Sequence, residues 1–183
     1  MSTFADVLRE GMLSLPHDLK AMLRIVEDPE LDDSGRVLAC GAILHVLSGH
    51  NAIPGVKGIL GYADDVIVLR LVVERLEKSS PEVIAHHRSD SPEIVGVFAE
   101  QLRVVREHLG EFLVVLDRAV DALPKGTFEG HDALECARDA ESATWLYDSV
   151  QEAIVERLEL DPDAVVRGVK GAGEIKGLLK QRL

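Results

Sequence analysis

The stretch NAIPGVKGILGYADDVIVL, residues 51–69, decides the fold because it places proline, glycine and an acidic pair between two apolar runs. Residues 37–44, which precede it, carry no charge, and residues 66–73, which follow, are interrupted only by Arg70. Helices that are apolar nearly all round lie in a core or in a membrane. These runs are shorter than the roughly 18 residues that a membrane span requires, so we predict two central helices.

The two central helices are predicted at about 34–48 and 62–78, as an apolar hairpin with a rigid turn between them. Pro54 stiffens that turn, since its ring fixes the backbone. Asp64 and Asp65 fall in the first turn of the second helix. Carboxylates there meet unpaired N–H groups and the positive end of the helix dipole, each contributing about 0.3–1 kcal/mol. We therefore predict a structural role for the acidic pair.

The turn and the helix after it also resemble a known family pattern, roughly D-x-I-P-D-x-x-P-x-x-G-x-x-D-D followed by an apolar helix. On these residues, about 36–76 is similar to the YkvA-like bacterial domains of unknown function (DUF1232). The resemblance implies a small helical domain, often found near membranes, with no established activity. The matching residues are Ile53, Pro54, Gly61, Asp64 and Asp65, whereas Asn51, Gly55 and Gly58 replace two aspartates and a proline.

Metal binding at this turn is the alternative to a structural role. Four acidic positions around one turn would form a carboxylate cage for Mg²⁺ or Ca²⁺, but two of the four are absent here. Neighbouring aspartates also stand about 100° apart on a helix, which does not favour a shared ion. We predict no metal and no cofactor. His45 and His50 flank the loop within possible reach of Asp64, and the candidate ligands are Asn51, Asp64, Asp65 and His50.

Helical periodicity extends over most of the remaining chain. It predicts short helices at 3–13 and 16–27, divided near Pro16, and a long helical hairpin at about 92–123 and 132–160. We expect an all-α, single-domain bundle of six to seven helices spanning 1–183, in which the long hairpin packs against the central one. A glycine-containing helix at 163–183 completes it, and the glycines weaken that helix.

Charge is distributed unevenly along the chain. The net charge is −12, and nucleic-acid binding depends on basic surfaces, so we exclude a nucleic-acid partner. The last helix is basic and has two interpretations: it docks on its own acidic body, or it contacts anionic lipid or an acidic partner. Its candidate contact residues are Arg167, Lys170, Lys176, Lys180 and Arg182.

No catalytic motif of a familiar hydrolase, kinase or zinc enzyme is present, which favours a protein that is not an enzyme. Cys40 lies in an apolar run and is predicted to be a small buried side chain. The N-terminus has no secretory pattern, which predicts a cytoplasmic protein. We predict a non-catalytic interaction or scaffold module with an unknown protein partner or a homodimer. The alternatives are a metal-dependent enzyme using Asn51, Asp64 and Asp65, and a peripheral membrane protein binding through its basic helix.

Overall fold

The computed structural model describes all 183 residues, and the fold is all-α, as the sequence predicts. Asp32 begins the second helix as its N-cap, since its side chain accepts a hydrogen bond from Gly35 N–H, and such caps satisfy an otherwise free donor. In chain order the helices are α1 (Phe4–Glu27), α2 (Asp33–Ser48), α3 (Ala63–Ser79), α4 (Pro81–Asp90), α5 (Phe98–Leu109), α6 (Val114–Ala122), α7 (Ala133–Arg138), α8 (Ala140–Ala153), α9 (Pro162–Gly168) and α10 (Glu174–Lys180).

Helices α2 and α3 form the predicted central hairpin. They pack on each other and are covered by the rest of the chain, α3 by α5 and α6 and α2 by α7 and α8. A single cluster of 54 buried apolar residues runs through all of these elements. Cys40 is completely buried in α2, as predicted, and burial raises the pKa of its thiol to about 12. The hairpin therefore forms the centre of the bundle.

The prediction of one continuous helix at 92–123 is wrong. It begins only at Phe98 and is divided at Gly110, which adopts φ 55° and is followed by a 3-10 turn to Leu113. An apolar face is present on both sides of the break, but it shifts by one residue, because Leu113 is buried after Leu109 whereas Phe112 is only partly buried. Periodicity alone therefore does not detect the kink, whereas a glycine with positive φ permits it.

The second long helix, predicted at 132–160, is also divided. It stops at Asp139, whose side chain caps the next helix by accepting from Ser142 N–H, and it ends in a π-helical turn, Ile154–Leu158. The loop before it contains a two-residue antiparallel ladder that the sequence did not indicate, β1 (Thr127–Phe128) with β2 (His131–Asp132). These breaks let short helices wrap around α2.

The break predicted at Pro16 is absent, and α1 is one continuous helix of 24 residues. Its apolar face is uninterrupted, with Met12, Leu15, Leu19 and Met22 all fully buried. Proline in a helix interior removes one hydrogen bond and usually bends or breaks the helix. Here the burial of side chains on both sides of Pro16 outweighs that loss.

The C-terminal segment, residues 162–183, packs its apolar side on the body. Val165, Val169, Ala172, Ile175 and Leu179 are buried, at a spacing typical of one helix face. The segment contacts α1 and the 3-10 turn Gly58–Tyr62. Across the whole chain, none of the helices combines the length and the apolar character that crossing a bilayer would need.

Candidate functional site

The loop between α2 and α3 is held by a chain of hydrogen bonds. Helix α2 ends at Gly49, which has φ 67°, and the side-chain oxygen of Asn51 then accepts from Ile53 N–H at 3.0 Å. Ile53 is fully buried and anchors the loop in the core. Pro54 and Gly61 are half-buried in the same loop. These motif residues therefore shape the backbone, and the amide oxygen of Asn51 is already engaged.

Asp64 joins three parts of this region. It is completely buried, and its Oδ2 lies 2.8 Å from His45 Nε2 on α2 while also accepting from Ala52 N–H at 2.9 Å. The prediction that Asp64 meets the free N–H groups of its own helix is therefore wrong. The preceding 3-10 turn explains this, since Ala63 N–H already bonds to the Leu60 carbonyl.

Asp65 is buried with far fewer partners. Only 3% of the residue is exposed, its Oδ1 lies 3.6 Å from His45 Nε2, and that oxygen makes no hydrogen bond. Burial and the adjacent Asp64 raise the pKa of Asp65 well above its ordinary value, whereas Arg157 acts in the opposite direction. The Oδ1 atom of Asp64 is also without a hydrogen bond. Two buried carboxylate oxygens thus stand unsatisfied beside one imidazole.

The two aspartates face one point, contrary to the expectation from their spacing. The two positions are about 100° apart around α3, but Nε2 of His45, on the neighbouring helix, lies within 4 Å of one oxygen of each aspartate. One donor atom from each of His45, Asp64 and Asp65 can be chosen so that all lie within 4.8 Å of one another. We call these three residues the His–Asp cluster. Of the ligands predicted from sequence, it includes Asp64 and Asp65.

The other predicted ligands lie outside the His–Asp cluster. Asn51 is engaged by the loop, and His50 is exposed, with its ring edge-on to that of His45 at 5.7 Å between centroids. His50, His45 and Ser48 line a cavity of about 210 Å³ beside the loop. Sequence analysis named His45 only as a residue that flanks the loop within reach of Asp64, and the only signal for it was its position one helical turn before the loop.

Arg157 is a residue of this region that the sequence did not indicate. It lies in the π-helical turn, and its Nη2 donates to the carbonyls of Val46 and Leu47 at 2.9 and 3.0 Å. The guanidinium therefore caps the C-terminal end of α2, where carbonyl groups lack helical partners. No sequence pattern marks it, because its position depends on how α8 packs against α2.

The second candidate region is the basic face of the C-terminal segment. We use this name for five side chains, all of them exposed: Arg167, Lys170, Lys176, Lys180 and Arg182. None of them lies within 4 Å of a carboxylate in an ion pair. Lys176 instead lies over the ring of Phe112, 5.8 Å from its centroid. The segment thus docks through apolar contacts, and its charges point outward.

The C-terminal segment and the motif loop are in direct contact. A Cβ on Gly168 would lie 1.9 Å from Cγ2 of Ile59, and one on Gly171 would lie 3.2 Å from Leu60. Glycine at these positions therefore permits close approach to the 3-10 turn. The sequence interpretation, in which glycine only weakens this helix, omitted that packing role. Gly173 and Gly177, by contrast, face open space.

Comparison with known proteins gives a match only for the segment that contains the motif loop. Residues 36–71 match the family model described as "Protein of unknown function (DUF1232)". No curated protein and no solved structure matches the chain. The matched segment contains all three members of the His–Asp cluster, whereas the basic face and Arg157 lie outside it. The resemblance predicted from the turn is therefore confirmed as a match of residues 36–71 to this family model.

Proposed function

We propose that the protein is a non-catalytic interaction module that docks on an anionic membrane surface through its basic face. The observation that carries this proposal is the combination of a buried apolar side and an outer side of five unpaired basic groups on the same segment. A segment that only neutralised its own body would direct these groups at nearby carboxylates.

Five arginines elsewhere in the molecule behave differently, although Arg24 and Arg118 are exposed and unpaired like the basic face. Arg75, Arg88, Arg103, Arg106 and Arg138 each pair with an acidic side chain on the body. The acidic body therefore offers partners, and the basic face makes no use of them. Exposed ion pairs contribute little to stability, so folding places only a weak demand on these charges. Their exposure without carboxylate partners fits an external anionic partner.

The charge balance fits binding in a defined orientation. Residues 167–183 carry five basic groups and Glu174, a net of +4, so the rest of the chain, with −12 in total, carries −16. Each Lys or Arg near an anionic bilayer contributes about 1 kcal/mol. Repulsion from the acidic body is screened beyond about 10 Å at 0.1 M salt. The basic face can therefore approach the surface while the acidic remainder faces away from it.

Lipid fits this face better than a folded acidic protein does. Three of the five basic residues are lysines, whose compact charge suits a diffuse anionic surface, whereas arginine dominates bidentate recognition of carboxylates. Val166 and Leu183, at 47% and 54% exposure, lie in the same segment. Apolar side chains among basic ones favour the interface between headgroups and acyl chains.

Co-sedimentation with vesicles tests the proposal. We expect the full chain to pellet with phosphatidylcholine vesicles containing about 30% phosphatidylserine at low salt, and to be released by 0.5 M NaCl. Pure phosphatidylcholine should leave it in the supernatant. The variant R167Q/K170Q/K176Q/K180Q should lose roughly a hundredfold or more in partitioning, from the contribution of each basic group.

A control variant with the same net charge separates position from total charge. Arg24, Lys78, Arg118 and Lys125 are exposed, unpaired and outside the segment, so R24Q/K78Q/R118Q/K125Q removes four charges elsewhere. We expect it to bind vesicles within a few-fold of the wild-type protein. Equal loss in both variants, or no pelleting of the wild-type protein at low salt, would contradict docking through the basic face.

A further inference from the structure

We propose that the His–Asp cluster binds one divalent transition-metal ion, with Zn²⁺, Mn²⁺, Fe²⁺ and Co²⁺ as the chemical class. The donors are Nε2 of His45 and one carboxylate oxygen from each of Asp64 and Asp65. This inference is independent of membrane docking, because it concerns buried residues of the motif and uses no residue of the basic face.

Distances place the three donors within reach of one ion. Two donors at about 2.1 Å from the same ion stand at most about 4.2 Å apart. His45 Nε2 lies 2.8 Å from Asp64 Oδ2 and 3.6 Å from Asp65 Oδ1, and the whole set lies within 4.8 Å. A shift of the donor atoms by less than about an ångström would therefore bring all three within coordination distance of one ion.

The unsatisfied oxygens are the second, independent observation. Oδ1 of Asp64 and Oδ1 of Asp65 are buried without a hydrogen bond, in residues that are 0% and 3% exposed. A buried polar atom without a partner costs about 1–3 kcal/mol, and more when it is charged. Native proteins rarely leave two such atoms side by side. A divalent cation bound by one oxygen of each aspartate would supply the partner that Oδ1 of Asp65 lacks and would offset the negative charge of the pair.

The protein offers only partial compensation for these carboxylates. His45 supplies one shared proton through its hydrogen bond to Asp64, and Arg157 is directed to the carbonyls of Val46 and Leu47. Metal binding would replace the proton between Nε2 and Oδ2, since metal-bound histidine is neutral and the carboxylates are ionised. The exchange releases protons to solvent and leaves the ion with three protein ligands.

The mixed donor set indicates the class of ion. Imidazole nitrogen with carboxylate oxygen suits zinc, manganese, iron and cobalt, whereas Mg²⁺ and Ca²⁺ prefer oxygen alone. Three protein ligands leave at least one further coordination position for water. In this proposal, the candidate ligands named from sequence, Asn51, Asp64, Asp65 and His50, are replaced by a set centred on His45.

Thermal unfolding of protein treated with EDTA and then dialysed provides the test. At a free ion concentration about 100 times the Kd, Zn²⁺ or Mn²⁺ should raise Tm by about 5–10 °C for a chain of this size. Mg²⁺ and Ca²⁺ at the same concentration should leave Tm unchanged. Co²⁺ should add visible absorption bands in a 1:1 ratio, and Zn²⁺ should displace them.

Matched variants distinguish this site from adventitious binding. H45Q and D65N conserve size and should abolish both the Tm shift and the Co²⁺ bands. His87 and Asp28 form another pair at the same 2.8 Å separation, so H87Q should leave both signals intact. Circular dichroism without metal verifies that each variant folds. No shift with any ion, an equal shift with Mg²⁺, or signals that survive in H45Q and D65N would overturn the proposal.

Discussion

Helix α3 carries two buried polar clusters, about one and a half turns apart, that are built in opposite ways. At its start stands the His–Asp cluster, with two adjacent carboxylates and one imidazole. Farther along, Arg70 is 1% exposed and donates to Asp18 at 3.2 Å, to Gln101 at 2.8 Å and to the Val66 carbonyl at 2.8 Å. We call Arg70, Asp18 and Gln101 the Arg70 cluster.

The charges of the Arg70 cluster cancel, and those of the His–Asp cluster do not. Asp18 also accepts from Ser14 at 3.0 Å, and the guanidinium lies over the Phe98 ring, 4.4 Å from its centroid. Only Nη2 of Arg70 lacks a partner. Burial raises the pKa of Asp18 and lowers that of Arg70, while their mutual attraction opposes both shifts. A balanced cluster of this kind is explained by the fold alone, whereas an unbalanced one indicates a missing ligand.

The largest effect should come from removing the cation of the balanced cluster. R70M leaves Asp18 buried without its counter-charge, and breaking a buried pair in this way costs about 3–5 kcal/mol. We expect Tm to fall by about 10 °C or more, since each kcal/mol shifts Tm by about 2–4 °C in a chain of this length. Urea denaturation measures the loss directly.

The double variant D18L/R70M is the control for that loss. Apolar groups of similar volume often replace a buried ion pair at little cost or with a gain, so most of the stability lost in R70M should return. A double variant as unstable as R70M would show that the ion pair itself, and not the unpaired carboxylate, determines the stability of this region.

The same substitution should have opposite effects in the two clusters. D18N weakens the partner of a buried arginine and should destabilise the protein by about 2 kcal/mol or more. D65N replaces a buried carboxyl group, whose Oδ1 has no hydrogen bond, by a neutral amide of nearly the same shape, so in metal-free protein it should be neutral or stabilising by about 1 kcal/mol. Denaturant unfolding in EDTA compares them. Destabilisation of similar size in both variants would remove the distinction between the clusters.

Sequence analysis predicted the local features of the molecule better than the long-range contacts of either cluster. The central hairpin, the burial of Cys40 and the motif loop follow from local patterns, because apolar runs and turn residues act over short distances. Arg70 was visible as the one charge in an apolar run, but its partner Asp18 lies 52 residues earlier in the chain. Nothing in a helical period indicates a contact of that range.

Of the three residues in the His–Asp cluster, sequence analysis named only the two aspartates as candidate ligands. The aspartates were found by resemblance to the family pattern, but the directions of their side chains were judged from the geometry of α3 alone. His45 enters from α2 and Arg157 from a π-helical turn in the last third of the chain, and both positions depend on the packing of helices. The divided helices at Gly110 and Asp139 were missed for a similar reason, since an apolar face is present on both sides of each break.

A third acidic side chain, Asp32, extends the comparison between the two clusters, and the effect expected from its substitution is the smallest. It is half-exposed at the start of α2 and accepts from Ser34 and Ser80 hydroxyls at 2.6 and 2.7 Å and from Gly35 N–H at 3.1 Å. Hydrogen bonds from Ser34 and Ser80, outweighing its partial burial, lower the pKa of Asp32 below its ordinary value. Unlike Asp65, this side chain is well supplied with hydrogen-bond donors, and its pKa is shifted in the opposite direction.

Because the pKa of Asp32 is lower in the folded state, its contribution to stability is present above the unfolded value of about 3.8 and is lost as pH falls through the folded value. D32N keeps the capping oxygen and removes the charge, so it should cost about 0.3–1 kcal/mol at pH 7. Urea unfolding of both proteins at pH 7, 4 and 2.5 should show this difference shrinking toward zero at the lowest pH. A difference that stays constant with pH would mean that the amide fails as a cap for steric reasons, and that the charge of Asp32 contributes nothing.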